Sequence, residues 1–228
     1  MSNASISQFS GRSPAASPRF LNTVNILVLV SGNGTNLQAL IDAEKSGFLG
    51  VAGSIAAAKI SAVLSDRGGV FALERAKASG IPVFIEKPDQ GLAKAERRQE
   101  HSDRILRLCA EKQIGLIVLA GFLSILAGDL IKKYSGKMIN LHPALLPKFG
   151  GQGMYGEKVH RAVLEAGEKE SGCTVHLVDA GTDTGPILLQ RRLPVLPGDT
   201  PESLAERIHK EEHIAIVDGI KIMLGRIT

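Results

Sequence analysis

At 228 residues, with 44% hydrophobic and 22% charged side chains, the chain sits near ordinary globular averages and is long enough to bury one α/β core. That balance excludes a largely disordered or membrane-embedded chain, and no apolar run approaches the roughly 18 residues that span a bilayer. A net charge of +4, no Trp and two Tyr leave no basic stretch interleaved with stacking aromatics, so a small anionic ligand fits better than nucleic acid.

Residues 1–20 hold Ser, Ala, Pro and two Arg with no acid and no convincing amphipathic repeat. Residues 1–24 are therefore expected to be a disordered tail, and residues 25–228 a single domain. From there apolar runs alternate with amphipathic stretches, as parallel-sheet units do. Strands are expected over 25–31, 59–65, 82–86, 116–120 and 137–141. Helices are expected over 36–45, 70–78 and 96–112, with Gly80 stopping the second, and a shorter one over 125–134. Two runs close in sequence, 173–179 and 187–195, suit strands that pair without a helical crossover. A final helix over 201–224, with Pro201 in its first turn, should cover one face. The fold class is α/β, a Rossmann-like doubly wound, mostly parallel sheet with C-terminal strands of mixed direction.

The chain has two cysteines, Cys109 in a helical pattern and Cys173 opening a strand pattern, so neither a disulfide framework nor a metal site is expected. Three other constellations carry chemistry. In Asn140-Leu141-His142-Pro143, an amide and an imidazole stand two apart at a strand end, and Pro143 biases His142 toward extended backbone. Both side chains then project into one crevice, where an amide can stabilise an oxyanion and an imidazole can move a proton. The first strand ends in Ser31-Gly32-Asn33-Gly34-Thr35-Asn36 before a helix, which sets free backbone N–H groups at a positive helix terminus and favours phosphate. Leu37 replaces the third glycine of a dinucleotide fingerprint, and Asp66 lies 34 residues beyond Gly32 rather than about 20, so a monophosphate fits better than a dinucleotide. The loop Asp179-Ala180-Gly181-Thr182-Asp183-Thr184-Gly185-Pro186 carries two acids, either of which could raise the pKa of His142, and spacing leaves both open. His160 in a helical surface pattern and His176 within a strand suit structural roles, and Glu211-Glu212-His213 reads as solvated charge.

Five segments in order, ILVLVSGNGTNLQAL, VLAGFLSIL, INLHPALLPKF, GCTVHLVDAGTDTGPILLQ and GDTPESLAERIHKEEH, together resemble the phosphoribosylglycinamide formyltransferase family of purine synthesis. The likeness covers about residues 25–224 and implies the formyltransferase fold. It implies that Gly34, Thr35 and Asn36 hold the phosphate of glycinamide ribonucleotide, with Glu212 near its ribose or glycinamide end. It implies a site for 10-formyltetrahydrofolate, the formyl donor, along Leu123, Ser124, Ile125, Leu126, Val178 and Asp179. Counting back from AGF without a gap places Arg98, next to Arg97, as a folate contact. Asn140, also facing the folate's formyl group, His142 and Asp183 match the catalytic positions, with Asp183 rather than Asp179 supporting His142. After LLPKF the chain reads GGQGMYGEKVH, a glycine-rich loop longer than in some relatives.

The expected reaction is direct attack of the ribonucleotide's primary amine on the formyl group, through a tetrahedral intermediate. No nucleophile with an adjacent base is visible, and no metal is implied. Partners are small molecules, without nucleic acid or membrane, in a cytoplasmic monomer or homodimer. Methionyl-tRNA formyltransferase would need an extra C-terminal region and formyltetrahydrofolate deformylase an extra N-terminal domain, and the chain has room for neither. A nicotinamide oxidoreductase and a non-catalytic phosphate-binding module are the rivals from other classes.

Overall fold

A computed structural model describes residues 22–49 and 56–227. Most of the expected 1–24 tail lies outside the described residues, and the first strand begins at Asn22. Five strands run parallel: β1 (Asn22–Val30), β2 (Ala56–Ser65), β3 (Val83–Ile85), β4 (Leu116–Leu119) and β5 (Met138–His142). Two more, β6 (Glu170–Leu177) and β7 (Ile187–Pro194), add antiparallel, and the sheet order is β3-β2-β1-β4-β5-β6-β7. The mixed C-terminal direction expected from the short spacing of these runs is present.

Along β1, side chains alternate between two buried faces, which is why its sequence reads as a continuous apolar run. Ile26, Val28 and Val30 enter one core with helices α1 (Thr35–Lys45), α2 (Phe71–Ala78), α5 (Glu157–Glu165) and α6 (Pro201–Ile227). Leu27 and Leu29 enter the other with α3 (Lys94–Glu111) and α4 (Asp129–Lys133). A doubly wound sheet follows directly from that alternation. No helix among the described residues is long and apolar enough to cross a membrane.

Two expectations are corrected here. The helix foreseen over 125–134 shrinks to α4, because the backbone before it is held by serine hydroxyls instead of by helical bonds. Leu123 N donates to Ser31 Oγ at 2.8 Å and Ala127 N to Ser102 Oγ at 2.9 Å. His160 does lie on a helix, but it points inward and is 2% exposed.

Gly185 sits where a Cβ would come 1.9 Å from the Leu177 carbonyl oxygen, closing the turn between β6 and β7. Gly185→Ala should therefore destabilise the fold by about 1–3 kcal/mol, read as a lower urea midpoint at unchanged m. Burial also pushes the imidazoles of His101 and His160 below the ordinary histidine range, against the opposing pull of the Glu86 carbonyl and the Glu212 charge respectively. The unfolded chain then binds protons that the folded one refuses, so this stability is complete above about pH 6.5 and is lost as pH falls below it. In His101→Gln the loss of thermal midpoint between about pH 7 and about pH 5 should be smaller than in the parent chain; an equal loss would mean that His101 does not titrate as a buried neutral group.

Candidate functional site

In a doubly wound sheet, ligands sit beyond the carboxyl ends of the strands where neighbouring crossovers diverge. Here that point lies between β1 and β4, and a cavity of about 620 Å³ opens there. One wall is the turn from β1 into α1. Gly34 caps the helix with φ 75°, and a Cβ on it would lie 2.6 Å from that of Ala72, so glycine alone fits. No side chain caps α1, which leaves its first N–H groups facing the cavity beside Thr35 and Asn36. Asn36 Nδ2 donates to Glu212 Oε2 at 3.2 Å, and His209 Nδ1 meets the same oxygen at 2.8 Å. Burial raises the Glu212 carboxyl, but the hydrogen bond and charge of His209 and the Asn36 amide outweigh it and hold the pKa below the ordinary value. Glu212 in turn lifts His209. Glu212 is 4% exposed and lines the cavity, not the solvated surface its sequence cluster suggests. The buried Oδ1 of Asn36 has no partner among the described residues.

The opposite wall is the end of β5. Asn140 and His142 lie on one face of the strand, and β6 sets His176 across from Asn140 and Thr174 across from His142. His176 Nδ1 lies 2.9 Å from the Leu177 carbonyl, and its Nε2 lies 3.1 Å from Asn140 Nδ2 and 3.5 Å from Asp183 Oδ1. Asn140 Nδ2 also donates to Asp183 Oδ1 at 3.3 Å. His142 Nε2 donates to the Phe149 carbonyl at 2.8 Å, which turns Nδ1 toward Asp183 Oδ2 at 3.5 Å. Thr174 Oγ1 secures the turn beyond His142 by donating to the Ala144 carbonyl at 2.6 Å and accepting from Leu146 N at 3.1 Å.

Asp183 holds this cluster together. Its backbone is left-handed, φ 59°, a conformation that costs free energy and concentrates at functional positions. Burial raises its carboxyl, but the His176 hydrogen bond, the Gly151 N–H at 3.0 Å and the two imidazoles together bring the pKa below the ordinary value. Burial dominates at His142 and lowers its pKa, with the Asp183 charge opposing. The cluster thus pairs an ionised acid with an imidazole that holds a proton weakly. Asp179 lines the cavity but serves its own turn, accepting from Gly181 N at 3.0 Å and Thr184 Oγ1 at 2.7 Å. The choice that spacing left open falls to Asp183.

Leu123, Ser124, Ile125, Leu126 and Val178 form a third wall. Arg98 does not line the cavity; with Lys94 and Arg97 it lines a smaller one that shares Leu123, Ser124 and Ile125. His160 and His176, read from sequence as structural, both line the main cavity. The only sequence signal for His176 was its period-two spacing from Thr174, which means nothing until β6 is known to pair with β5. Asp66 is no ribose contact, because it is buried outside the cavity against Arg67 and Ser124.

The Formyl transferase family model matches residues 24–220. Phosphoribosylglycinamide formyltransferase of Escherichia coli is 37% identical over 191 residues, covering 83% of this chain and 82% of that protein. The trifunctional purine biosynthetic protein adenosine-3 of Drosophila melanogaster is 39% identical over 200 residues, and the match spans 88% of this chain but 14% of that longer protein. The solved phosphoribosylglycinamide formyltransferase of Coxiella burnetii superposes with a TM-score of 0.77 at 36% identity, covering 90% of this chain and 89% of that one. By sequence and by fold, this chain belongs to the formyl transferase family.

Proposed function

We propose that the chain transfers the formyl group of 10-formyltetrahydrofolate to the primary amine of glycinamide ribonucleotide, in de novo purine biosynthesis. The observation that carries this reading is the convergence of Asn140, His142 and Asp183 on the cavity that also holds the uncapped start of α1 and Glu212. Gly34, Thr35 and Asn36 receive the phosphate, because converging N–H groups and the helix dipole favour a compact anion. Glu212 and the unpartnered Asn36 Oδ1 then accept from the ribose hydroxyls or the glycinamide end. The folate lies along Leu123, Ser124, Ile125, Leu126, Val178 and Asp179, with Arg98 beyond that wall meeting its anionic tail.

The neutral amine attacks the formyl carbon and the carbonyl oxygen becomes negative. Asn140 donates to that oxygen in place of its longer contact, the 3.3 Å one to Asp183. His142, protonated on Nδ1 during the reaction and steadied by Asp183, relays a proton to the departing folate nitrogen. No covalent enzyme intermediate is needed. Ser31 Oγ is engaged by Leu123 N, and burial pushes the Cys109 and Cys173 thiols up to about 11 and about 12. The substrates are small molecules, and the enzyme acts in the cytoplasm as a monomer or homodimer.

The primary test mixes the protein with both substrates and follows tetrahydrofolate and formylated ribonucleotide together. Product that requires both supports the transfer; formate release without the ribonucleotide would indicate a deformylase instead. His142→Ala should cut turnover by about 10²- to 10⁴-fold with modest change in ribonucleotide KM. Near-normal turnover would remove His142 from the mechanism. In Asp183→Asn the charge that favours the imidazolium is gone, so the pKa of His142 should fall further. The acid limb of its pH–rate profile should move to lower pH as turnover drops, and a limb that stays put would detach Asp183 from His142.

A further inference from the structure

The wall between the two cavities is a loop, residues 121–128, without helix or strand. Three side-chain tethers hold it. Ser31 Oγ accepts Leu123 N at 2.8 Å, Ser102 Oγ accepts Ala127 N at 2.9 Å, and Ser124 Oγ donates to Asp66 Oδ2 at 2.7 Å. Only the third ends on a charge. Asp66 follows β2, its side chain is 2% exposed, and it lines neither cavity. Arg67 grips it from the surface side, Nε to Oδ1 at 2.9 Å and Nη2 to Oδ2 at 3.2 Å.

We propose that Asp66 is a positioning residue for the formyl donor: acting through Ser124, it sets the wall of Leu123, Ser124 and Ile125 along which the folate lies. The proposal rests on the assignment of that wall to the folate. A buried charge persists only when well paired, and a hydrogen bond to a charged acceptor is worth about twice a neutral one. Burial raises the Asp66 carboxyl, but Arg67, Ser124 and Ser31 outweigh it and keep the pKa below the ordinary value, so the anchor stays ionised at neutral pH. The wall needs such an anchor. Phe122 and Leu126 pack into the core on either side, but Leu123 between them is 45% exposed, so apolar packing does little to fix the segment from Leu123 to Ile125. Asp66 also reaches two of the three tethers at once, since Ser31 bonds to its carboxylate while accepting Leu123 N. The ends of β1, β2 and β4 are thereby locked together beside Leu123, and Ser124 itself bonds to Asp66 and not to the turn that leads into α1.

The experiment measures equilibrium binding of 10-formyltetrahydrofolate and of glycinamide ribonucleotide, separately, to the full chain and to Asp66→Ala, Asp66→Asn and Ser124→Ala, with KM and kcat alongside. Asp66→Ala and Ser124→Ala should each weaken folate binding by about tenfold, the loss of one charge-assisted hydrogen bond, and leave ribonucleotide affinity unchanged. Asp66→Asn keeps a neutral acceptor for Ser124 and should recover about half of the lost binding free energy, leaving folate binding about threefold weaker than in the parent. Ser124→Ala removes the bond without stripping Arg67 from Asp66, so it reads the role even if Asp66→Ala fails to fold. Equal weakening of both ligands, unaltered folate binding, or an asparagine no better than alanine would overturn the proposal. If the parent chain itself binds no folate, the formyl-transfer reading fails with it; if the parent binds folate and the variants match it, only the positioning role falls.

Discussion

The site depends on one reversal of strand direction. Five parallel strands deliver their carboxyl ends to a common edge, and β6 then runs back against β5. Antiparallel pairing places residues directly opposite each other, with Cβ atoms about 5 Å apart. That is how His176 comes to face Asn140 across a gap of 36 residues, with Thr174 beside His142. The turn that follows β6 leaves beside the start of β5, where Val178 N donates to the Met138 carbonyl, and loops back to set Asp183 between the two imidazoles, 3.5 Å from each. A parallel β6 would need a long crossover and would not set His176 and Thr174 directly opposite Asn140 and His142 in this register.

The electrostatics follow from this packing. A single carboxylate with two histidines and a backbone N–H is paired well enough to stay ionised despite burial. Its charge is partly spent against the desolvation of His142, whose net shift is downward. An imidazole that sheds its proton readily, beside a carboxylate that stabilises it when charged, suits transient protonation. Across the cavity the polarity reverses: Glu212 lifts the pKa of His209 and faces the uncapped start of α1. The cavity therefore has the acid–imidazole cluster at one end and the uncapped start of α1 with Glu212 at the other, and the loop wall lies at its side.

Much of this was legible in the chain. Period-two and longer apolar spacing marks all seven strands, since burial on both faces leaves an unbroken apolar run in β1 and β4. The Asn140–His142 pair is a local motif, and spacing along a strand suffices to put both on one face. The loop before α4 misled, because its apolar residues sit at helical spacing while its backbone N–H groups are captured by Ser31 and Ser102, far away in sequence. His160 misled for a related reason: helical periodicity identifies a face, but not which face the neighbouring helix covers.

Local rules thus determine strands, most helices, the glycine turn at Gly34 and the amide–imidazole pair, because each depends on residues within a few positions of one another. The tertiary structure alone decides that Asp183 and not Asp179 meets His142, and that His176 joins them. It also decides that Glu212 is a buried cavity acid bonded to Asn36 and that Arg98 stands behind a wall rather than in the cavity. These are distances between segments tens to hundreds of residues apart. Strand register and helix docking set them, and neither leaves a mark at the residues concerned.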